Sequence, residues 1–114
     1  MIEVDGEGVG SMSYIRIPYG PNRRSLAWRI GITVLPKHRR RGIGAKAHRL
    51  LAEQLLTQSD VHRVEADTDP ENPPERRALV NAGFVQEGGL KGAQWRNGAW
   101  HDRVLFALTR DALG

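Results

Sequence analysis

The chain has no cysteine in its 114 residues. That excludes disulfides, thiolate metal sites and a cysteine nucleophile, and it makes an intracellular, cytoplasmic location the default expectation. Long apolar runs are missing too: nothing approaches the ~20 residues of a membrane helix, and the N-terminus carries no signal-peptide pattern. No membrane partner is expected. No internal repeat, linker or low-complexity block interrupts the sequence, so a single domain over residues 1–114 is expected. The four histidines, His38, His48, His62 and His101, show no metal-ligand spacing, so no metal is expected.

Apolar residues make up 39% of the chain and charged residues 26%, which is globular rather than disordered composition. The net charge is +4, concentrated in Arg23-Arg24 and in residues 37–41. Such a balance suits nucleic acid, anionic lipid or a phosphorylated ligand, and charge alone does not choose among them. Nucleic acid is disfavoured, because no base-stacking aromatics are interleaved with the basic run.

Met1 to Asp5 reads as a short strand, with a turn at Gly6-Glu7, and Val9 to Tyr19 as a second strand that Gly20-Pro21-Asn22 breaks. Leu26, Trp28, Ile30, Ile32 and Val34 alternate with other residues, the period of a strand with one apolar face. Ala47, Leu50, Leu51 and Leu55 have helical spacing and predict a helix from about Ile43 to Gln58. Val61 to Asp67 predicts a short strand. Strand, helix and strand in sequence imply a parallel pair with a crossover helix. Asn72-Pro73-Pro74-Glu75 reads as a helix start: Asn72 as N-cap, Pro73 at the first helical position, and Glu75 where a capping box puts its carboxylate. Gly83 closes that helix. Phe84 to Arg96 and Ala99 to Thr109 flank Asn97-Gly98, a strong hairpin signal that sets Trp95 opposite Trp100. The Trp pair reads as cross-strand packing, with a dimer contact as the alternative if it is exposed. The fold class is thus α+β with a mixed sheet: three antiparallel strands, helix, parallel strand, helix, C-terminal hairpin.

One stretch points to chemistry. A strand-like run ends in Val34-Leu35-Pro36, the basic residues Lys37 to Arg41 follow, and Gly42 and Gly44 open a helix. Glycines admit close backbone approach, and the free amides and dipole of a helix start form an anion site. Capture of a phosphate or pyrophosphate follows. A dinucleotide fingerprint fits less well, since Pro36 and five basic residues separate the strand from Gly42. The Gly-Lys-Ser/Thr ending of a Walker motif is absent.

Arg39-Arg40-Arg41-Gly42-Ile43-Gly44 resembles the Arg/Gln-x-x-Gly-x-Gly/Ala signature of the GNAT N-acetyltransferase superfamily. Asp69-Pro70-Glu71-Asn72, Leu79 and Ala82-Gly83-Phe84 resemble that family's Asn-containing loop, helix and Gly-Phe pair. The tail, Glu87-Gly88 through Trp100-His101-Asp102, looks most like the branch that acetylates N-terminal amines of ribosomal proteins. The resemblance implies acetyl-CoA between splayed parallel strands. Its pantetheine arm would pair with Ile32, Thr33 and Val34 and contact Asn72. Its pyrophosphate would sit on Arg40, Arg41, Gly42, Ile43, Gly44 and Ala45, with Arg39 adding charge. A neutral amine, from a peptide N-terminus or a small molecule, would attack the thioester directly, and a backbone N–H near Ile32 or Val34 would stabilise the oxyanion.

The sequence departs from the family at two places. Where many relatives carry Tyr and Ser, it has Leu79 and Glu75, so neither usual acid is present. Glu75 and Asp102 are the candidate proton-transfer groups, with His101 behind them, and helix capping is the preferred reading of Glu75. Family members also begin with a strand and two helices ahead of the antiparallel strands, and these wall the acceptor site. A homodimer is expected to compensate. The alternative to an enzyme is a non-catalytic acyl-CoA-binding or interaction module built on the same fold.

Overall fold

Alternation of apolar and polar residues builds most of this molecule. The computed structural model describes residues 2–4, 6–38 and 42–113. Strands β1 (Ile2–Val4), β2 (Glu7–Pro18) and β3 (Leu26–Val34) form an antiparallel meander, followed by helix α1 (Ile43–Thr57), β4 (Arg63–Thr68), α2 (Pro73–Asn81) and the hairpin β5 (Val85–Arg96) and β6 (Ala99–Thr109). The six strands form one sheet in the order β1-β2-β3-β4-β6-β5. Among the described residues, β3 and β4 alone run parallel. The expected element order and mixed sheet are therefore present. Met1, Asp5 and the basic residues Arg39, Arg40 and Arg41 lie outside the described residues. Among the described residues, no helix is long and apolar enough to cross a membrane.

Both helices cover the same face of the sheet. Leu51, Ala52 and Leu56 of α1 and Leu79 of α2 pack with Ile30, Val64, Ala66, Val104, Phe106 and Leu108. Ile43 and Ala47 join Ile2 and Val9 in a second cluster. Leu50, which the sequence placed in the apolar stripe, is 65% exposed. It sits one residue, about 100° of helical rotation, from Leu51, so Ala52 and Leu56 take the core positions instead. Trp28 packs only partly against the core, with Tyr14 edge-on to it at 5.3 Å and the Arg16 guanidinium 5.2 Å from its ring centre.

Helix α2 is closed at both ends. Asn72 Oδ1 accepts the Glu75 N–H, and Pro73 follows the cap without wasting a donor. At the other end Gly83 N–H donates to Val80 O and Phe84 N–H to Leu79 O, each at 3.0 Å. This Schellman closure requires a positive φ, which Gly83 supplies at 96°. Asn97 and Gly98, with φ of 52° and 75°, make the two-residue turn, and Trp95 pairs with Trp100. The sequence does not announce the bulge in β5: Leu90 pairs with Arg103 and Gln94 with His101, so four steps of β5 face two of β6. Gly92, in the bulge, donates its N–H to Asp102 Oδ1 at 2.7 Å.

The parallel junction is short. Strands β3 and β4 pair only at Ala27–Arg63, Trp28–Val64 and Arg29–Glu65, and then separate. On the face away from the helices, Glu65 is fully buried. Its Oε1 accepts Arg29 Nε and Nη2 at 3.0 and 2.7 Å, and its Oε2 accepts Tyr19 Oη at 2.5 Å and Arg63 Nε at 2.7 Å. Arg63 also holds Glu87 with its two terminal nitrogens. Burial raises the Glu65 pKa, but the donors Tyr19, Arg63 and Arg29 outweigh it and hold the carboxyl below its usual range. Burial and the Glu65 charge push the Tyr19 phenol up, so the shared proton stays on tyrosine.

Two outcomes follow. Phe106 is 1% exposed at the centre of the core; Phe106→Ala should cost about 3–5 kcal/mol in urea unfolding. Because the folded Glu65 carboxyl binds its proton less readily than the unfolded one, its contribution is complete above an unfolded pKa of ~4.3 and disappears as pH falls through the depressed folded value. Urea midpoints taken from about pH 6 to about pH 3 should fall in wild type. In Glu65→Gln they should start lower and fall less, with Asp69 and Glu87, also held below their usual range, supplying the remaining slope.

Candidate functional site

The separation of β3 from β4 opens a cleft of about 930 Å³, within the range of small-molecule sites. One wall is β3 from Ile30 to Val34, and the other is Ala66, Asp67 and Thr68 of β4. Beyond Arg29 the β3 backbone no longer pairs with β4, so Ile30 to Thr33 turn one edge to the cleft. The N-termini of both helices converge there, through Gly42 to Ala45 of α1 and Asn72 and Glu75 of α2. Gly42 precedes α1 with φ of 73°, a left-handed conformation that favours glycine, and among the described residues no side chain caps this helix. Among the described residues, the first amide of this helix with a backbone partner is Lys46 N–H, on Gly42 O at 3.2 Å, and Ile43, Gly44 and Ala45 stand in the first turn, where helix amides point outward. Gly44 has room: a Cβ there would meet only Ala78 Cβ at 3.8 Å and Val34 Cγ2 at 4.0 Å.

The approach to α1 is held from β2. Glu7 Oε1 lies 3.2 Å from Lys37 Nζ and 3.3 Å from His38 Nε2. Lys37, and then His38, hold the Glu7 carboxyl below its usual range. Leu35 N–H donates to Val9 O at 2.7 Å, so the turn Pro36–His38 is fastened just before residues 39–41.

Ile32, Thr33, Val34, Gly42, Ile43, Gly44, Ala45 and Asn72 all line this one cleft. Arg39 to Arg41 fall outside the described residues. Glu75 also lines it, but the capping box is only half formed. Asn72 N–H donates to Asp69 O at 3.0 Å, and the Glu75 carboxylate turns to His48 Nε2 at 3.2 Å. His48 is buried in α1 with its Nδ1 on Gly44 O at 2.7 Å. A buried imidazole needs a partner for each nitrogen, and Glu75 is the one within reach. Leu79 is fully buried in the core. Asp102 and His101 do not line the cleft: Asp102 accepts from Gly92 in the β5 bulge, and His101 Nε2 contacts Arg96 O at 3.0 Å. His62 lies beside Asp111 at 3.8 Å.

Sequence reasoning missed the polar side of the cleft. Asp67 accepts Arg103 Nε at 2.8 Å, and Asp69 accepts Arg96 Nη2 at 2.6 Å. Hydrogen bonds from Arg96 and from the Glu71 N–H hold the Asp69 carboxyl below its usual range. All four side chains line the cleft. Part of the signal was present: Val64, Ala66 and Thr68 alternate with Glu65 and Asp67 along β4, so these two carboxylates share the face opposite the core, and Asp69 follows just past the strand.

Comparison with known proteins agrees with this geometry. The family model described as the acetyltransferase (GNAT) domain matches residues 1–85. A probable N-acetyltransferase of Bacillus subtilis, YjcK, is 30% identical over 104 residues, 91% of this chain and 56% of that protein. The ribosomal-protein-serine acetyltransferase of Escherichia coli is 28% identical over 112 residues, 98% of this chain and 60% of that protein. Among solved structures, Mycobacterium smegmatis RimJ in complex with CoA-disulfide superposes with a TM-score of 0.86 at 35% identity, over 97% of this chain and 52% of that one. The chain spans little more than half the length of these relatives. A domain match over three quarters of its residues, with the forked mixed sheet it implies, establishes that the chain belongs to the GNAT acetyltransferase family.

Proposed function

We propose that this chain binds acetyl-CoA in the fork between β3 and β4 and passes the acetyl group to a primary amine, a peptide N-terminus or a small-molecule amine. One observation carries the reading: the edge of β3 from Ile30 to Thr33, which β4 does not pair, and a helix start with no side-chain cap among the described residues line the same cleft. The edge from Ile32 to Val34 would run beside the pantetheine amides, as a strand would, and Asn72 would reach the same arm. The amides from Gly42 to Ala45, with Arg39, Arg40 and Arg41, would take the pyrophosphate, as helix starts do. Relatives that act on ribosomal proteins favour a protein N-terminus as acceptor.

The chemistry is direct attack of the amine nitrogen on the thioester carbonyl carbon. The C–N bond forms, the thiolate leaves, and a proton departs from nitrogen. Holding both substrates in one cleft supplies up to ~7–11 kcal/mol of the barrier, and a backbone N–H of β3 at the fork would stabilise the oxyanion. Leu79, fully buried, offers no acid, and Asp102 is engaged by Gly92. Glu75 reaches the cleft but serves His48. Proton transfer would thus run through solvent and the leaving thiolate. The buried Leu79 equally favours a second reading, a binding module that holds acyl-CoA without turnover. Trp95 and Trp100, 61% and 66% exposed in edge-on contact at the hairpin end, support a homodimer.

Gly44→Val should keep the fold, since the space at Gly44 admits a Cβ, and weaken CoA binding by at least about tenfold in calorimetry. Equal affinity in a folded variant would refute the site. Steady-state turnover with a panel of N-terminal peptides, spermidine and amino sugars separates enzyme from binding module. In an active protein, Glu75→Gln should lower stability by about 1 kcal/mol through the His48 contact and leave turnover within about tenfold. A roughly thousandfold loss would make Glu75 the acid–base group.

A further inference from the structure

We infer that Glu65 is a positioning residue for the fork: it sets the opening between β3 and β4, and hence the fit of acetyl-CoA, without touching the cleft. This rests on the acetyl-CoA reading for its functional consequence, but not for its structural one. The sheet consists of two halves, β1-β2-β3 and β4-β6-β5, joined among the described residues by the three pairs from Ala27–Arg63 to Arg29–Glu65. On the helix face, packing under α1 holds the halves together. On the other face, among the described residues, side chains do so. Glu65 is the last β4 residue before the strands part, and its carboxylate gathers donors from the opposite half, Tyr19 Oη and the Arg29 guanidinium, at 2.5 to 3.0 Å. From its own half it takes Arg63, which is anchored in turn on Glu87.

The grip extends into the fork. Arg29 Nε lies 4.0 Å from Asp67 Oδ2. Asp67 is two residues past the last pair, lines the cleft, and accepts from Arg103. Arg29 therefore sits in the angle of the fork, drawn to a carboxylate on each side of the point where the strands separate. Glu65, Tyr19, Arg29 and Arg63 are all absent from the cleft lining. Any effect of Glu65 on ligand must pass through the geometry of the strands and Asp67. Removing its charge leaves two guanidiniums and a phenol competing for fewer acceptors, and lets the halves rotate about the three pairs.

The test uses the whole chain and CoA as the probe, at a temperature where every variant is folded by thermal melting. Wild type, Glu65→Gln, Tyr19→Phe and the control Leu56→Val are titrated calorimetrically. Hydrogen exchange is read on the amides of residues 30–33 and 66–68. Leu56 is fully buried but does not line the cleft. Glu65→Gln should bind CoA about tenfold more weakly, and Tyr19→Phe about threefold. Both should speed exchange at the fork more than in β5 and β6. Leu56→Val should lower the melting temperature while changing affinity and fork exchange less than Glu65→Gln does. Unchanged affinity and unchanged fork exchange in Glu65→Gln overturn the proposal. Should Glu65→Gln not fold, the same two null results in Tyr19→Phe overturn it. If wild type itself binds no CoA, the acetyl-CoA reading fails, and fork exchange alone decides the role of Glu65.

Discussion

A three-pair parallel junction is the constraint on which this structure depends. Among the described residues, two antiparallel halves meet in the sheet along Ala27–Arg63, Trp28–Val64 and Arg29–Glu65. A longer junction would close the cleft with strand hydrogen bonds, and a shorter one would leave the halves to α1 and to side-chain contacts. Parting after Arg29 costs the ladder bonds of the next residues, and those unmade bonds are the polar edge a ligand with amides can use. The cleft is thus the direct consequence of stopping one strand pairing early.

The two faces of the sheet hold the junction by different physics. Under the helices the contacts are apolar, and Ile30, Val64 and Phe106 lose their exposure together. On the opposite face a buried carboxylate is tolerable only because four donor atoms converge on it, since an uncompensated buried charge would cost several kcal/mol. Apolar packing is non-directional and permits sliding. Charge-assisted hydrogen bonds fix distances and angles. The directional fastening sits at the angle of the fork, where a small rotation would be magnified along the strands.

Much of this was legible in the sequence, for local reasons. Period-two alternation gave β3, the Asn72-Pro73 start and Gly83 end gave α2, and Asn97-Gly98 gave the hairpin with Trp95 opposite Trp100, because each signal is decided within a few residues. Leu50 was misplaced because a helical stripe read from spacing alone is ambiguous by one residue until a partner sheet selects the buried side. The His48–Glu75 contact was invisible because it joins two helices whose distance the sequence does not state, and it displaced the capping-box bond that local reasoning supplied for Glu75. The far-face chain from Glu87 through Arg63, Glu65 and Arg29 to Asp67 and Arg103 crosses strands remote in sequence. Its alternation in β4 was readable, but its pairing was not.

Helix α1 explains why the fork and the helix start act as one site. Its first turns, Ile43 and Ala47, pack with Ile2 and Val9 of one half, whereas Leu51, Ala52 and Leu56 pack with Val64, Ala66 and Phe106 of the other. The helix is a splint across the gap, with its amide-bearing end fixed to the half that supplies the strand edge. Gly44 and His48 lie on one flank of the helix, and Glu75 ties that flank to α2. Widening the fork therefore shears α1 against one cluster or the other and pulls on the Glu75 contact, while the Glu7 contacts with Lys37 and His38 keep the approach to α1 on the β2 side. A ligand long enough to touch both the strand edge and the first turn of α1 would bind to parts that cannot move independently, so its fit at one end is set by the geometry at the other.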